Sequence, residues 1–263
     1  MQNVRAKKSL GQHFLKDLGI AKKIADTIQP SQLPADKAEP WGSLPVVEVG
    51  PGMGVLSQFL RDNGRNVKAV ELDPESVEFL KKTFPGLDVV EGDFLKIDLD
   101  ELFQGEMVVI GNYPYNISSQ IFFKVLDNRE KIPVVAGMLQ KEVAQRICSG
   151  PGSKVYGILS VLLQAWYDCK YLFDVGPMVF SPPPKVTSGV IRLTRNSRKE
   201  LGCDEKKFKT VVKTAFGQRR KTLRNSIGGL LGPDNPLRND PIMGQRPEQL
   251  SVEDFIRITQ SLK

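Results

Sequence analysis

VVEVGPGMGVLS, residues 46–57, decides the fold. A β-branched apolar run enters Gly50, Gly52 and Gly54 and leaves them as a helical pattern. Glycines there let the backbone turn sharply and bring a helix N-terminus close to a ligand, the construction of a nucleotide-binding loop. The spacing is G-x-G-x-G, with Val55 where the dinucleotide fingerprint wants a further glycine. That spacing, and the lack of a plausible hydride-transfer acid, disfavour a nicotinamide-dependent dehydrogenase.

Outward from this loop, short β-branched runs alternate with longer helical segments: VKAVEL, PESVEFLKKTF, LDVVEGD, EMVVIGN, SSQIFFKVL, VVAGMLQ and KEVAQRI. The alternation predicts an α/β fold, a doubly wound Rossmann-like sheet that is mostly parallel, with helices on both faces. YLFDVG and TSGVIRL have no helix between them, only the proline-rich PMVFSPPPKV, and suit an antiparallel pair at one sheet edge. DEKKFKTVVKTAFGQRRKTLRNSI then reads as helical, with Val211, Val212, Ala215 and Phe216 as its apolar face. Composition and charge shift together near residue 195, which divides the chain into a ligand-binding catalytic domain, 1–194, and a small helical, basic C-terminal domain, 195–263.

Ligands of doubly wound sheets bind at the carboxyl ends of the strands, so Gly50, Glu71, Asp93 and Asn112 should line one crevice. Glu71 ends its strand where an acid accepts hydrogen bonds from ribose hydroxyls. Asp93 ends the next, within reach of the exocyclic amine of an adenine. Asp73 is expected to cap the helix opened by Pro74.

IGNYPYN, residues 110–116, closes the crevice. Pro114 biases Tyr113 away from helix, so the Asn112 side-chain oxygen and the Tyr113 carbonyl are able to converge on one point. Two converging acceptors suit an aromatic amino group, and the face of Tyr115 offers a base somewhere to stack. The alternative is a proline-containing turn with a helix N-cap at Asn116 or Ser118.

The chain has 263 residues and a net charge of +7. Residues 195–263 hold 15 Lys+Arg against 8 Asp+Glu and so carry the whole excess. A second basic cluster, Arg5, Lys7, Lys8, Lys16, Lys22 and Lys23, opens the chain. Clustered positive charge attracts a phosphate backbone, and the alternative is a solvated basic surface. In QRRKTLRN, the residues Arg219, Arg220, Lys221 and Arg224 would form a dense basic helix face suited to RNA phosphates. Three dispersed cysteines, Cys148, Cys169 and Cys203, imply neither a disulfide framework nor a metal site. No apolar run reaches the length of a membrane span and no signal-peptide pattern is present, so a cytoplasmic protein without membrane contact is expected.

An N-x-P-Y run after the fourth strand resembles the signature of S-adenosylmethionine-dependent methyltransferases acting on exocyclic amino nitrogens. Within that class KKSLGQHFL, EVGPGMGVLS, VELD, EGDFLKID, GNYPYNISSQI and FSPPPKVTSGVIRL closely resemble the ribosomal RNA adenine N6,N6-dimethyltransferases. FGQRRKTLRNSI and RPEQLSVEDF extend the resemblance to most of the chain and look like the small-subunit branch rather than the related macrolide-resistance enzymes that modify large-subunit RNA.

The resemblance implies S-adenosylmethionine as methyl donor, held by His13, Leu15, Gly50, Gly52, Glu71, Asp93 and Asn112. It implies catalysis by Asn112, Tyr113, Pro114 and Tyr115, with Phe180 packing on the other face of the target adenine. For Phe180, an edge-strand core aromatic is the alternative. Lys185 is placed to meet phosphate or only to be solvated. The implied substrate is a pair of adjacent adenines in a hairpin loop near the 3′ end of small-subunit (16S) ribosomal RNA, and the implied protein is a monomer working on the small ribosomal subunit. A non-catalytic assembly or RNA-binding factor is the alternative from another class. The family usually has Asn where His13 stands and Leu or Ile where Tyr113 stands. His13 as a general base is set aside, because a methylated adenine amine loses its proton readily.

Overall fold

The computed structural model describes residues 4–262 and divides into two compact units, residues 1–144 with 170–195, and residues 145–169 with 196–263. The sequence-drawn ranges, 1–194 and 195–263, differ from this division at two points, of which Arg195, grouped with the first unit, is the smaller. Gln145–Cys169 groups with the C-terminal unit.

The chain opens with β1 (Phe14–Leu15), α1 (Leu18–Asp26) and α2 (Ala38–Gly42). It continues through β2 (Val46–Val49), α3 (Val55–Asp62), β3 (Val67–Glu71), α4 (Pro74–Thr83), β4 (Asp88–Glu91) and α5 (Leu99–Leu102). Then come β5 (Val108–Asn112), α6 (Ser118–Asp127), β6 (Val134–Gln140), α7 (Lys141–Cys148), α8 (Ile158–Gln164) and β7 (Tyr167–Val175). β8 (Phe180–Ser181), β9 (Ser188–Arg195), α9 (Glu205–Gly217), α10 (Leu223–Ser226) and α11 (Val252–Gln260) complete it.

Seven strands form one sheet in the order β4-β3-β2-β5-β6-β9-β7. From β4 to β6 all neighbours are parallel, and β9 returns antiparallel to β6. The order reverses between β2 and β5, the switch point where such sheets open a crevice at the strand ends. Parallel strands covered on both faces read as continuous apolar runs, and all four residues of β2 are buried. Local signals place the helices. Asp17 caps α1 by accepting from the Ile20 amide at 2.9 Å, and Asp73 caps α4 ahead of Pro74 at its first turn, as expected.

β1 pairs antiparallel with β8, Leu15 opposite Phe180, in a separate two-stranded ladder. Strands of two residues leave no periodic trace, so nothing in the sequence announces this pair. It ties the N-terminal segment to the proline-rich loop. Lys16 N adds a further bond to the Val179 carbonyl at 2.8 Å.

In the second unit Phe208, Val211, Val212 and Ala215 form the buried stripe of α9. Phe216 is half-buried between Tyr156 and Phe255, at ring separations of 6.1 and 5.9 Å. α8 packs against α9, which is why its apolar segment belongs to this unit. The long helix expected over 204–227 breaks. α9 ends at Gly217, Gln218 leaves helical geometry at φ −124° and ψ 46°, and the short α10 starts only at Leu223. Arg219, Arg220 and Lys221 thus lie on a turn, and only Arg224 is helical. The break lets Leu223 turn inward to full burial.

Candidate active site

One cavity, with about 1080 Å³ of empty space including its open mouth, sits at the carboxyl ends of β2, β3 and β5, in the first unit. It is lined by the glycine loop, by Glu71, Asp93 and Asn112, by Tyr113 to Ile117, and by Leu10 to Leu15 of the N-terminal segment. The four polar strand ends singled out in the sequence are therefore brought together.

The glycine loop fits where side chains do not. Gly52 has φ +56°, and a Cβ on it would lie 2.9 Å from the Phe14 ring. A Cβ on Gly54, at φ +73°, would lie 2.5 Å from Phe84. Gly52 N donates to Glu71 Oε2 at 2.9 Å, and Asp73 N donates to Oε1 at 2.9 Å. Glu71 is 5% exposed. Burial pushes its carboxyl above the ordinary range while the two backbone donors pull it back. The carboxylate is thus fixed in one orientation, and each oxygen keeps a lone pair for a hydroxyl. Asp93 is held by the Leu95 amide on Oδ1 at 3.0 Å.

Asn112 is the last residue of β5, and its Nδ2 donates to the His13 carbonyl at 3.0 Å. Its Oδ1 takes no hydrogen bond from any described residue. Pro114 follows against the glycine loop, where a Cβ on Gly50 would lie 3.7 Å from its Cδ. Tyr115 is half-buried, its hydroxyl 2.5 Å from Ser188 Oγ and its ring 5.5 Å from the His13 ring. Burial raises the Tyr115 phenol, against the Ser188 hydrogen bond. Neither Asn116 nor Ser118 is the N-cap of α6. Ile117 holds that position without a side-chain bond.

His13 lines the cavity and pairs its Nδ1 with the Pro182 carbonyl at 2.8 Å. Leu15 reaches both the cavity and the core. Phe180 is a correction. Expected beside the target base, it is 1% exposed, lies in the core and does not line the cavity. The β1–β8 ladder explains it, because alternation along the strand turns Ser181 outward and Phe180 inward. Lys185 is exposed on the same loop. In the second unit Arg219 donates to the Ser153 and Lys154 carbonyls, whereas Arg220, Lys221 and Arg224 are exposed.

Some residues went unread in the sequence. Leu72, 50% exposed and next to Glu71, and Phe94, next to Asp93, add apolar lining to the cavity, as an aromatic ring of a ligand requires. Glu48 is 1% exposed, accepts from Ser57 Oγ at 2.5 Å and is among the cavity-lining residues. Burial pushes its carboxyl up to about 8, against that hydrogen bond. An acid inside a four-residue strand was the available signal. The Tyr113 side chain also acquires a role. It is buried, donates to the Ala136 carbonyl at 2.7 Å and packs edge-on against Phe122. Its ring fills the space over Gly111 and Gly137, which face each other across β5 and β6.

Among the described residues no His, Cys, Asp or Glu cluster suits a metal, the cysteines are free and no helix is long and apolar enough to cross a membrane. The cavity instead fits S-adenosylmethionine: a glycine cradle, a buried oriented carboxylate, a second acceptor and apolar lining residues.

Comparison with known proteins agrees with this chemistry. "Ribosomal RNA small subunit methyltransferase A" of Parabacteroides distasonis is 62% identical over 261 residues, covering 98% of this chain and 94% of its own. The crystal structure of a dimethyladenosine transferase from Plasmodium falciparum superposes with a TM-score of 0.76 at 24% identity, covering 94% of this chain and 96% of that one. That of the 23S rRNA methyltransferase ErmE gives 0.67 at 24% identity, covering 95% and 99%. At that identity both support the fold alone. Residues 3–263 match the family described as "Ribosomal RNA adenine dimethylase", and the chain belongs to that family.

Proposed function

We propose that the protein transfers two methyl groups from S-adenosylmethionine to N6 of each of two adjacent adenines in a hairpin loop near the 3′ end of small-subunit ribosomal RNA. The observation that carries the mechanism is the Asn112 amide, whose nitrogen is occupied by the His13 carbonyl while its oxygen stays open at the cavity. With that oxygen and the Tyr113 carbonyl accepting its two hydrogens, an adenine amine is held in place and its developing positive charge is stabilised. Glu71 accepts from the donor's ribose hydroxyls and Asp93 from its adenine amine. S-adenosylmethionine supplies the electrophilic methyl group.

Tyr115 stacks on the target base, which a loop nucleotide offers once splayed out. Because Phe180 is buried, the second aromatic surface beside Tyr115 is the His13 ring. Exposed Arg220, Lys221, Arg224 and Lys185 meet phosphates, so affinity falls steeply as salt rises. The protein works in the cytoplasm as a monomer on the small ribosomal subunit.

Small-subunit RNA is favoured over large-subunit RNA by the small-subunit relative at 62% identity, whereas the likeness to ErmE speaks only to the fold. Incubation with radiolabelled S-adenosylmethionine and undermethylated subunits, followed by mapping of N6-dimethyladenosine, tests the proposal. Label confined to large-subunit RNA sinks the substrate, and label in neither leaves a binding factor.

A further inference from the structure

The N-terminal segment Lys7–Leu15 is more than a wall of the cavity. Lys7 Nζ bonds to Asp73 Oδ1 and lies 3.0 Å from Glu75, and Gln12 Nε2 donates to Asp73 Oδ2 at 3.3 Å. Lys7 N donates to Gln12 Oε1 at 2.7 Å, so the two side-chain anchors brace each other. At its far end the segment pairs through β1 with β8, and His13 Nδ1 meets the Pro182 carbonyl. Phe14 lies over Gly52, and Gly11 passes so close to Asn116 that a Cβ there would come within 2.8 Å of its Oδ1. Between these anchors the His13 carbonyl accepts from Asn112 Nδ2.

An amide side chain has two nearly isosteric ends, and a flip of its terminal torsion exchanges acceptor for donor. In Asn112 the His13 carbonyl opposes that flip, because with the flip two oxygens would face each other.

We infer that the backbone carbonyl of His13, fixed by the Lys7–Asp73 latch, is a positioning group that keeps Asn112 Oδ1 turned toward the amine. It rests on the reading of Asn112 as the residue that grips the amine. The latch stands two residues beyond Glu71, so the segment that closes over the donor is the one that orients the catalytic amide. The coupling runs both ways. An ordered segment aligns Asn112, and Asn112 helps to order the segment.

Two measurements test it. Lys7→Met removes the latch without touching the reacting groups, and at saturating donor and RNA kcat should fall about tenfold with the melting temperature nearly unchanged. Lys7→Arg, which keeps the ion pair, should recover most of that loss. A wild-type kcat for Lys7→Met, with only the donor KM raised, overturns the inference, because the segment is then merely a wall. In protein without donor, Asn112→Ala should speed amide exchange across residues 12–16 at least fivefold, and unchanged exchange also overturns it. If Asn112→Ala itself retains full activity, the catalytic reading fails instead, and the two failures are told apart.

Discussion

Two proline-containing aromatic segments, YPY at 113–115 and FSPPP at 180–184, look alike in sequence and behave differently in the fold. The first follows the last residue of a central parallel strand and opens on the cavity. The second sits on a two-residue strand paired with the N-terminal segment, and its aromatic ring turns into the core. Where a strand lies in a sheet decides the direction its terminal side chains take, and residue type alone does not.

The contrast is open to direct attack. Asn112→Ala should lower methyl transfer about 100- to 1000-fold while RNA affinity stays near wild type, measured by single-turnover transfer and filter binding. Phe180→Ala should cost about 3–5 kcal/mol of stability, read in denaturant unfolding, with little change in RNA affinity of the folded protein. Loss of RNA affinity without loss of stability would restore Phe180 to the base. Tyr115→Ala should reverse that pattern, losing roughly 1–3 kcal/mol of RNA interaction and less stability.

Glu48 gives a pH-dependent test. Because its carboxyl titrates higher in the folded chain than its ordinary 4.5, the folded state holds the extra proton between 4.5 and about 8. Its burial is therefore tolerated below that window and costs stability progressively as pH rises through it. Glu48→Gln keeps an acceptor for Ser57, so without donor it should raise the melting temperature at pH 8.5 by about 4 °C and by less at pH 5. The smallest effect is expected of Tyr113→Phe. It loses the bond to the Ala136 carbonyl, about 1 kcal/mol, and leaves kcat unchanged because the backbone carbonyl carries the role.

The parallel sheet and its polar strand ends were legible in the sequence. Strand, loop and helix recur there in units whose register the topology fixes, so Gly50, Glu71, Asp93 and Asn112 had to meet. What escaped depends on contacts between distant segments. The β1–β8 pair has no period, and it alone settles where Phe180 points. The break after Gly217 escaped because helical spacing continues through QRRKTLRN, while burial of Leu223 demands a turn. Gln145–Cys169 changes units because α8 packs on α9, a partner more than forty residues away in the chain.

The facing glycines of β5 and β6 also rank the constraints at this end of the sheet. A Cβ on Gly137 would lie 2.2 Å from the Gly111 carbonyl as well as 2.7 Å from the Tyr113 ring, and one on Gly111 would lie 2.5 Å from the Val49 carbonyl. Backbone alone thus forbids a side chain at either position, whatever stands at 113. Tyr113, by contrast, needs both of them bare. The dependence runs one way: with both glycines in place position 113 is free to hold tyrosine or a smaller residue, whereas no choice at 113 makes room for a side chain at 111 or 137.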